Sequence, residues 1–497
     1  MHTNVQLVGW AQHNQPKSEP HPRDVMGLMA TVARKAADTL KDRDFLAQLD
    51  GIFVVRSLST FYADPARELA RKLGASQALT VSSGVGGNSP QTLINQAAAR
   101  IARGELKRVL VVGAETYVPR KESVSPSGNA LMKGIPDHYQ GDDARGATDL
   151  EQAHGMNQPI HGFPLFETAL WHDSGLPLDQ YLRRVGDLWS GFSAVAQDHP
   201  HAWSPRFRSC EEIITPGPAN RPIAFPYTKF MNAFVTVDQA AAILLTPADI
   251  APNYAPDRTA PVYFAGGGYA QDRQRFMIDK TDFTVSHPMK AAAHKALNRA
   301  GMALDELQCF DLYSCFPCAV SVARKMLNIS SDDPRPLTLT GGLGFFGGPG
   351  NNYNLHAVAT LAEHIAQGNR DNGMVTALGW FMHKHAAGIY TNTLPQRDLT
   401  TMDIEDQAQP LAGPEPEIVD PDPTGDGTIE TYTLVYTPDH RLDYALIYGR
   451  TQRGLRFIAN TPRDEAIFQH LCNSDCVGRR VRLSKGQSPL GNTARLI

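Results

Sequence analysis

Internal repetition is the feature that most limits what this chain can fold into. Residues 25–56 predict an amphipathic helix followed by a buried strand, because apolar side chains keep helical spacing as far as Leu40 and an apolar run opens at Gly51. Residues 288–314 repeat the pair, with a helical stripe and then a strand from Cys309. The recurrence predicts a duplicated fold.

A second unit also occurs twice. Residues 82–113 run from a glycine-rich loop through a helix to a strand that ends at Gly113, and residues 341–379 repeat this order up to Gly379. Strands and helices that alternate in this way bury their apolar residues when helices cover the faces of a sheet. The sequence therefore predicts an α/β fold made of two similar halves, each centred on a sheet.

Two segments depart from this pattern. Residues 119–224 are polar and rich in histidine and proline, with one helical stretch, and predict a loop domain over the site. Prolines among acidic residues at 396–426 predict an extended linker, and the short β-like runs after it predict a small OB-like β-barrel. The predicted units are 1–118 completed by 225–250, the loop domain 119–224, the second half 251–395, the linker 396–426 and the C-terminal β domain 427–497.

Composition excludes several classes of protein. The net charge is −4 and 42% of the residues are apolar, so sizeable cores can form and no basic surface for nucleic acid is indicated. No apolar run approaches the ~20 residues of a membrane-spanning helix, and the N-terminus lacks the features of a secretory signal. The six cysteines are too sparse for a disulfide scaffold. We expect a cytoplasmic protein with no membrane span and no metal.

Several sequence phrases carry a resemblance to a known family. They are VVRSLSTFYADPARELARKLG at 54–74, YTKFMNA at 227–233 and LYSCFP at 312–317, with TIETYTLVYTPDH and RFIANTP after residue 427. Over residues 4–393 the chain resembles the thiolase superfamily, and in particular the type 1 thiolase-like proteins, which carry an additional C-terminal domain. The resemblance implies two βαβαβαββ halves, an acyl-CoA thioester as ligand, acetyl-CoA acetyltransferase relatives and no permanently bound cofactor. It also implies a homodimer or a place in a larger protein complex.

In the first catalytic loop of that family, a cysteine nucleophile stands just before the central helix of the first half. The matching position here is Gly87, and residues 1–209 contain no cysteine. What remains is a helix N-terminus at Gly87, Asn88 and Ser89, whose free N–H groups are able to bind an acyl carbonyl or another anion. A glycine-rich helix start needed only for tight packing explains the same residues equally well.

The second and third loops have changed as well. Where related thiolases carry His-Asp-Cys-Phe or Asn-Glu-Ala-Phe, this chain has Tyr-Ser-Cys-Phe, so Tyr313 is either a hydrogen-bond donor in the pocket or a buried tyrosine. Where the family has Gly-His-Pro, this chain has Gly-Gly-Pro with Gly348 at its centre, followed by Asn351 and Asn352. The two asparagines are candidate amide donors to a substrate, or else turn-forming residues.

The fourth loop has exchanged a second catalytic cysteine for titratable groups. It reads Gly-Trp-Phe-Met-His-Lys-His from Gly379 to His385. Neutral imidazole is a suitable base near pH 7, and in an extended segment His383 and His385 share one face, with Lys384 on the other. We predict that one of the two histidines lies in the pocket as a catalytic base. A solvated loop is the alternative.

Cys315 belongs to a Cys-x-x-Cys pair with Cys318. The other cysteine pair, Cys472 and Cys476, has a different spacing and lies in another predicted domain, so neither a zinc site nor a redox pair is favoured. Cys315 sits at a predicted strand end that faces the same cleft, and a displaced nucleophile is therefore a further hypothesis for it. A structural role is the alternative, and is the usual one at this position in the family.

Two functions fit these residues. The first is an acyl-CoA enzyme that combines a histidine base with an oxyanion site made by the helix N-terminus at Gly87 and by Tyr313, for non-covalent acyl transfer, hydrolysis or decarboxylation. The second is a non-catalytic binder of CoA thioesters or lipids, or a scaffold subunit of an acyl-processing complex. Loss of all four family motifs favours the second, and the histidines of the fourth loop favour the first. The residues do not support the standard thiolase mechanism.

Overall fold

The computed structural model describes residues 3–118, 139–140, 146–257, 260–402, 411–486 and 491–497. Residues 119–138 and 141–145 of the predicted loop domain and 403–410 of the predicted linker lie outside the described residues.

The first half alternates strands and helices in the predicted order. Asp24 and Asp64 cap its first two helices, because their carboxylates accept hydrogen bonds from the backbone N–H groups of Gly27 and Arg67. The predicted helix and strand within residues 25–56 are both present. The elements are β1 (Val5–Asn14), α1 (Val25–Ala37), β2 (Gly51–Val54), α2 (Pro65–Leu73), β3 (Leu79–Ser83), α3 (Ser89–Ala102) and β4 (Val109–Thr116).

A mainly helical excursion separates the halves. It contains β5 (Tyr139–Gln140), α4 (Asp149–Ala153), α5 (Pro159–Ser174), α6 (Leu178–Asp198), α7 (Cys210–Ile214), β6 (Pro222–Ala224) and β7 (Tyr227–Thr228). β8 (Asp238–Pro247) then returns to the central sheet between β1 and β4. The second half follows with β9 (Val262–Asp272), α8 (His287–Ala300), β10 (Phe310–Asp311), α9 (Pro317–Leu327), α10 (Tyr353–Ala366), β11 (Asn372–Gly379) and β12 (Lys384–Thr391).

One strand is shorter than the sequence predicts. The apolar run from Cys309 predicts a longer strand, whereas the structure confines β10 to two residues. The amide of Phe310 donates to the carbonyl of Pro336 in a neighbouring segment at 2.8 Å. Because Pro336 has no N–H to donate in return, the ladder on that side is not completed.

The strands of both halves form one continuous sheet. Its order is β10-β11-β12-β9-β1-β8-β4-β2-β3-β5, with β13 (Leu411–Ala412) beside β9. Helices α1 and α2 pack on the outer face of the first half, and α8 packs on β9 and β12 of the second. Helices α3 and α10 lie between the halves, since α3 contacts β4 and β12 while α10 contacts β8 and β11. The predicted duplicated α/β fold is confirmed, and its two central helices begin close to each other.

The C-terminal domain is a closed five-stranded barrel, as predicted. Its elements are β14 (Gly425–Tyr436), β15 (Leu442–Thr451), β16 (Arg456–Asn460), α11 (Glu465–Asn473), β17 (Arg480–Lys485) and β18 (Asn492–Leu496). The strands pair in the order β14-β15-β16-β18-β17, and β17 returns to β14. The sequence pattern does not predict β18, a short strand that is recognisable only by its partners β16 and β17.

Two short strands of the excursion extend this barrel. β6 pairs with β14, and Phe225 N donates to Leu434 O at 2.8 Å. Thr433 Oγ1 donates to the carbonyl of Phe225 at 2.7 Å. The sequence assigned residues 225–250 to the first half, but the first of these residues pair with the barrel sheet instead. Among the described residues, no helix is both long and apolar enough to cross a membrane.

Candidate functional site

Four loops converge near the N-termini of α3 and α10. The first loop precedes α3, the second joins β10 to α9, the third precedes α10, and the fourth joins β11 to β12. Gly86 N of the first loop donates to Asn351 Oδ1 of the third at 3.0 Å. Gly87 lies against Tyr313 of the second loop and against the carbonyl of Leu378, next to the fourth. The fold therefore brings together the predicted residues of the first three loops.

The side chain of Tyr313 occupies the space next to Gly87. A Cβ atom on Gly87 would lie 2.6 Å from Tyr313 Cζ and 2.6 Å from the carbonyl oxygen of Leu378, and closer still to the Tyr313 hydroxyl. Side chains do not tolerate contacts of this kind without movement of their neighbours. The phenol of the second loop thus stands where a nucleophile of the first loop would project.

The phenol of Tyr313 is a hydrogen-bond donor at neutral pH. The side chain is 7% exposed, and burial raises the pKa of Tyr313 above its usual value. A protonated hydroxyl can donate to a carbonyl or an oxyanion but cannot remove a proton from a substrate. The sequence left two roles open for this residue, a hydrogen-bond donor in the pocket and a buried tyrosine, and the structure is compatible with both.

Asn88 and Asn352 hold equivalent places in the two halves. Asn352 precedes α10, and its side-chain amide donates to Gly113 O at 2.8 Å. Asn88 precedes α3, and a Cβ atom on Gly379 would lie 3.2 Å from Asn88 Cγ. Each half therefore places an asparagine against a strand glycine of the other half, Gly113 within β4 and Gly379 at the end of β11. Within the described part of the chain Asn88 Oδ1 is buried and accepts no hydrogen bond.

The other predicted binding residues of these loops are engaged within the protein. Ser89 Oγ donates to Gly84 O at 3.0 Å, and Gly348 N donates to Phe234 O at 2.9 Å. Asn351 accepts from the first loop through Oδ1 and donates to Arg56 O at 2.9 Å through Nδ2. Through these contacts, Ser89, Gly348 and Asn351 hold the loops against one another.

The histidines of the fourth loop lie on the side of the sheet away from α3. A Cβ atom on Gly388 of β12 would lie 2.7 Å from Gln91 Cδ of α3, so that position faces α3. Because side chains alternate along a strand, Lys384 faces the same way and His385 faces α8. His385 Nε2 lies 3.1 Å from Ser286 Oγ, at the start of α8. Neither ring nitrogen of His383 has a hydrogen-bond partner among the described residues.

Both histidines are neutral at physiological pH. Burial, reinforced by the charge of Lys280, lowers the pKa of His385 to about 3. Burial and the charge of Lys384 lower the pKa of His383 well below its usual value. Neutral imidazoles are competent bases, but their place on the α8 side separates them from Gly87.

The depressed pKa of His385 predicts a measurable pH dependence of stability. The unfolded chain binds a proton at this residue below about pH 6.5, whereas the folded chain does not until about pH 3. Stability from this residue is therefore present above pH 6.5 and is lost as the pH falls, by about 2 kcal/mol between pH 7 and pH 5. In urea unfolding, His385→Gln should lose about 2 kcal/mol less than the natural protein over this interval. Equal losses in the two proteins would contradict the assignment.

The fourth loop turns through unusual backbone conformations. Trp380 and Met382 have φ values of 52° and 60°, a region that non-glycine residues rarely occupy. Phe381 between them packs its ring 5.9 Å from that of Phe163 of α5, and Met382 is fully buried. Strain of this kind costs about 1–3 kcal/mol per residue and persists only where packing enforces it. The sequence motif of this turn indicates its histidines but not its packing role.

Cys315 is unsuited to act as a displaced nucleophile in this conformation. It is 7% exposed, and burial raises the pKa of its thiol well above the usual value. The thiolate is the reactive form of cysteine, so a buried thiol with a raised pKa reacts slowly. Cys318 is also buried and its Sγ donates to Phe163 O at 3.4 Å. All six cysteines are free thiols.

A groove with basic and aromatic walls opens beside the third loop. Its volume is about 540 Å³, and Arg208, Arg221 and Lys229 contribute its cationic side chains. The guanidinium of Arg208 lies 3.8 Å from the centroid of the Phe230 ring. Gly344 and the aromatic residues Trp203, Phe230, Phe234 and Phe345 complete much of the lining. No sequence motif indicates these cations, because they are spread along the chain and only the fold brings them together.

The C-terminal part of the chain matches a family of known proteins. The family described as the additional C-terminal domain of thiolase-like protein type 1 matches residues 408–487. Among solved structures, a monomeric SCP2-thiolase like protein type 1 from Mycobacterium smegmatis is 29% identical, with 99% of each chain covered and a TM-score of 0.80. No curated protein sequence matches the chain.

Structures of lower sequence identity share the fold over part of the chain. The Ltp2-ChsH2(DUF35) aldolase is 16% identical over 78% of this chain and 98% of its own, with a TM-score of 0.60. Human mitochondrial 3-ketoacyl-CoA thiolase in complex with CoA is 16% identical over 79% of this chain and 98% of its own, with a TM-score of 0.56. The duplicated halves and the five-stranded barrel agree with the sequence resemblance: residues 408–487 match the additional C-terminal domain of thiolase-like protein type 1, and the whole chain is similar to the monomeric SCP2-thiolase like protein type 1.

Proposed function

We propose that this protein binds CoA thioesters without forming a covalent acyl-enzyme. The observation that carries the proposal is the contact between Gly87 and Tyr313, which leaves no room for a side chain at the position of the family nucleophile. The buried thiol of Cys315 does not replace that nucleophile, because its pKa is raised. A thioester that reaches this site meets hydrogen-bond donors and no activated thiol.

The basic groove suits the polar part of such a ligand. CoA carries phosphate groups and a planar base, and the groove offers three cationic side chains together with aromatic faces. Its floor includes Gly344 of the third loop, and Gly342 of the same loop lies against the second loop at Ser314, next to Tyr313. A ligand held by its phosphates in the groove would therefore extend its acyl end along the third loop toward Tyr313.

A second candidate function is catalysis without an acyl-enzyme. The protonated phenol of Tyr313 favours it, because a donor aimed at a thioester carbonyl stabilises negative charge on that oxygen. Hydrolysis or decarboxylation of an acyl-CoA fits this arrangement, with His383 or His385 proposed as the base. Since His385 faces α8, that base would need another conformation of the fourth loop to reach the same substrate.

Calorimetry with CoA and acetyl-CoA tests the binding proposal. We expect both ligands to bind, and the variants Arg221→Gln and Lys229→Gln each to weaken binding about tenfold, since a charge-assisted hydrogen bond contributes about 1.5 kcal/mol or more. The exposed Lys72→Gln, outside the groove, is the matched control and should leave the affinity unchanged. If CoA and acetyl-CoA bound both groove variants as tightly as the natural protein, the proposal that the ligand lies in the basic groove would be wrong.

Mass spectrometry of the intact chain tests the absence of an acyl-enzyme. After incubation with acetyl-CoA we expect an unmodified mass and unchanged CoA thioester in solution. A stable acetyl adduct on any cysteine would refute the proposal. Release of free CoA without an adduct would support catalysis without an acyl-enzyme. If Tyr313→Phe then abolished this release, the Tyr313 hydroxyl would be identified as the hydrogen-bond donor to the thioester.

A further inference from the structure

A second cleft lies between β1, the end of α6 and α10. Its volume is about 600 Å³, within the range of small-molecule sites. The floor contains the buried residues Leu339 and Ala359, and the walls carry the rings of Trp10, His199 and His201. The cleft shares no lining residue with the basic groove, so it is a separate feature of the surface.

The carboxylates among the lining residues of this cleft belong to Asp198 and Glu363. Asp198, at the end of α6, and Glu363, on α10, are both exposed there. Glu363 accepts a hydrogen bond from Trp10 Nε1 at 2.8 Å and one from Gln367 at 2.6 Å. The carboxylate therefore fixes the orientation of the indole ring. None of the described residues that line the cleft is a lysine or an arginine.

The histidines of the wall add aromatic surface without positive charge. His199 Nδ1 accepts from His201 N at 3.1 Å, so the proton of this imidazole is on Nε2, which lies 3.0 Å from Thr360 Oγ1. His364 is the third histidine of the lining. Burial lowers the pKa of His199 to about 3 and also lowers the pKa values of His201 and His364, with the charge of Lys35 adding to the shift at His201 and that of Arg370 to the shift at His364. At neutral pH the lining charges are thus those of the two carboxylates. Lys35 approaches His13, outside the lining.

We propose that this cleft binds a small organic cation with an aromatic or apolar body. An ammonium group is attracted both by the carboxylates and by the face of an indole ring, and the apolar floor accommodates the rest of such a molecule. Anionic ligands are disfavoured by Asp198 and Glu363, and among the described residues no cluster of three metal-ligating side chains is present. The proposal is independent of CoA binding, because the two clefts share no residue.

Two probes with the same ring and opposite charge test the proposal. Ligand-observed NMR on the full chain should detect tryptamine binding with a Kd of about 1 mM, a value typical of a ligand of this size. Indole-3-propionate, which carries a carboxylate, should bind at least about tenfold more weakly. Glu363→Gln should weaken tryptamine binding about tenfold, because it removes one charge while keeping a hydrogen-bond acceptor for Trp10.

A control variant separates local from general charge effects. Asp179 is exposed in the first turn of α6, at the opposite end of the helix from Asp198, about 28 Å away at 1.5 Å per residue. Asp179→Asn should leave the tryptamine Kd unchanged, and Trp10→Leu should weaken it. Equal binding of the two probes, tryptamine binding that survives Glu363→Gln, or no binding of tryptamine at 10-fold above the expected Kd of about 1 mM would each overturn the proposal.

Discussion

The Gly87→Cys variant is expected to lose about 3 kcal/mol of stability instead of gaining thiolase activity. The new side chain would begin 2.6 Å from Tyr313 Cζ and from the carbonyl oxygen of Leu378. The carbonyl belongs to the backbone of β11 and cannot move cheaply. The Tyr313 ring packs edge-on against Tyr353 at 5.5 Å. Overpacking of a rigid core is destabilising because neighbouring side chains leave their preferred rotamers.

Urea unfolding of single and double variants measures this conflict. Tyr313→Ala alone should cost about 3–5 kcal/mol, since it leaves a cavity. In the double variant the contact with the tyrosine ring is gone, while that with the Leu378 carbonyl remains. The cysteine fills part of the cavity, so the loss should be smaller than the sum of the single losses by at least about 1 kcal/mol.

The matched control for this series is Gly191→Cys. Gly191 lies within the exposed face of α6, and a Cβ atom there would meet nothing within 4 Å. This substitution should change the stability by no more than about 0.5 kcal/mol. A Gly87→Cys protein as stable as the control would show that the space beside Gly87 is open, and would remove the main support for a site without an acyl-enzyme.

The Asp272→Asn variant is expected to cost about 3–5 kcal/mol. Asp272 Oδ2 lies 3.0 Å from Lys280 Nζ, and the two side chains are 3% and 2% exposed. Removing the carboxylate charge leaves the lysine buried without its partner, and burial of an unpaired ammonium is costly. The backbone N–H of Asp272 also donates to His383 O at 2.7 Å, so the pair is connected to the fourth loop.

An exposed ion pair supplies the comparison. Asp173 and Lys325 lie 2.8 Å apart, but their side chains are 55% and 41% exposed. Asp173→Asn should therefore cost no more than about 1 kcal/mol. The two variants differ mainly in burial, so denaturation midpoints measured under one condition isolate its effect. A loss below about 1 kcal/mol for Asp272→Asn would mean that water reaches Lys280.

Most of the architecture could be predicted from the sequence. The order of helices and strands in both halves follows from short-range periodicity and from glycines at element ends, which are local properties of the chain. The motif phrases pointed to the thiolase-like family, and the absence of cysteine from residues 1–209 excluded its nucleophile before any coordinate was known. The barrel was predictable in outline, apart from β18, whose short run is defined by its neighbours.

Only the tertiary structure decided how the four loops are used. Alternation along a strand separates the face of Lys384 from that of His385, but which face meets α3 depends on helices that are distant in sequence. The filling of the space at Gly87 by Tyr313 is likewise a contact between the two halves. Because protein interiors are close-packed, the space left by a missing side chain at Gly87 is filled by another residue, Tyr313. The two residues are distant in sequence, so no local sequence pattern predicts this contact.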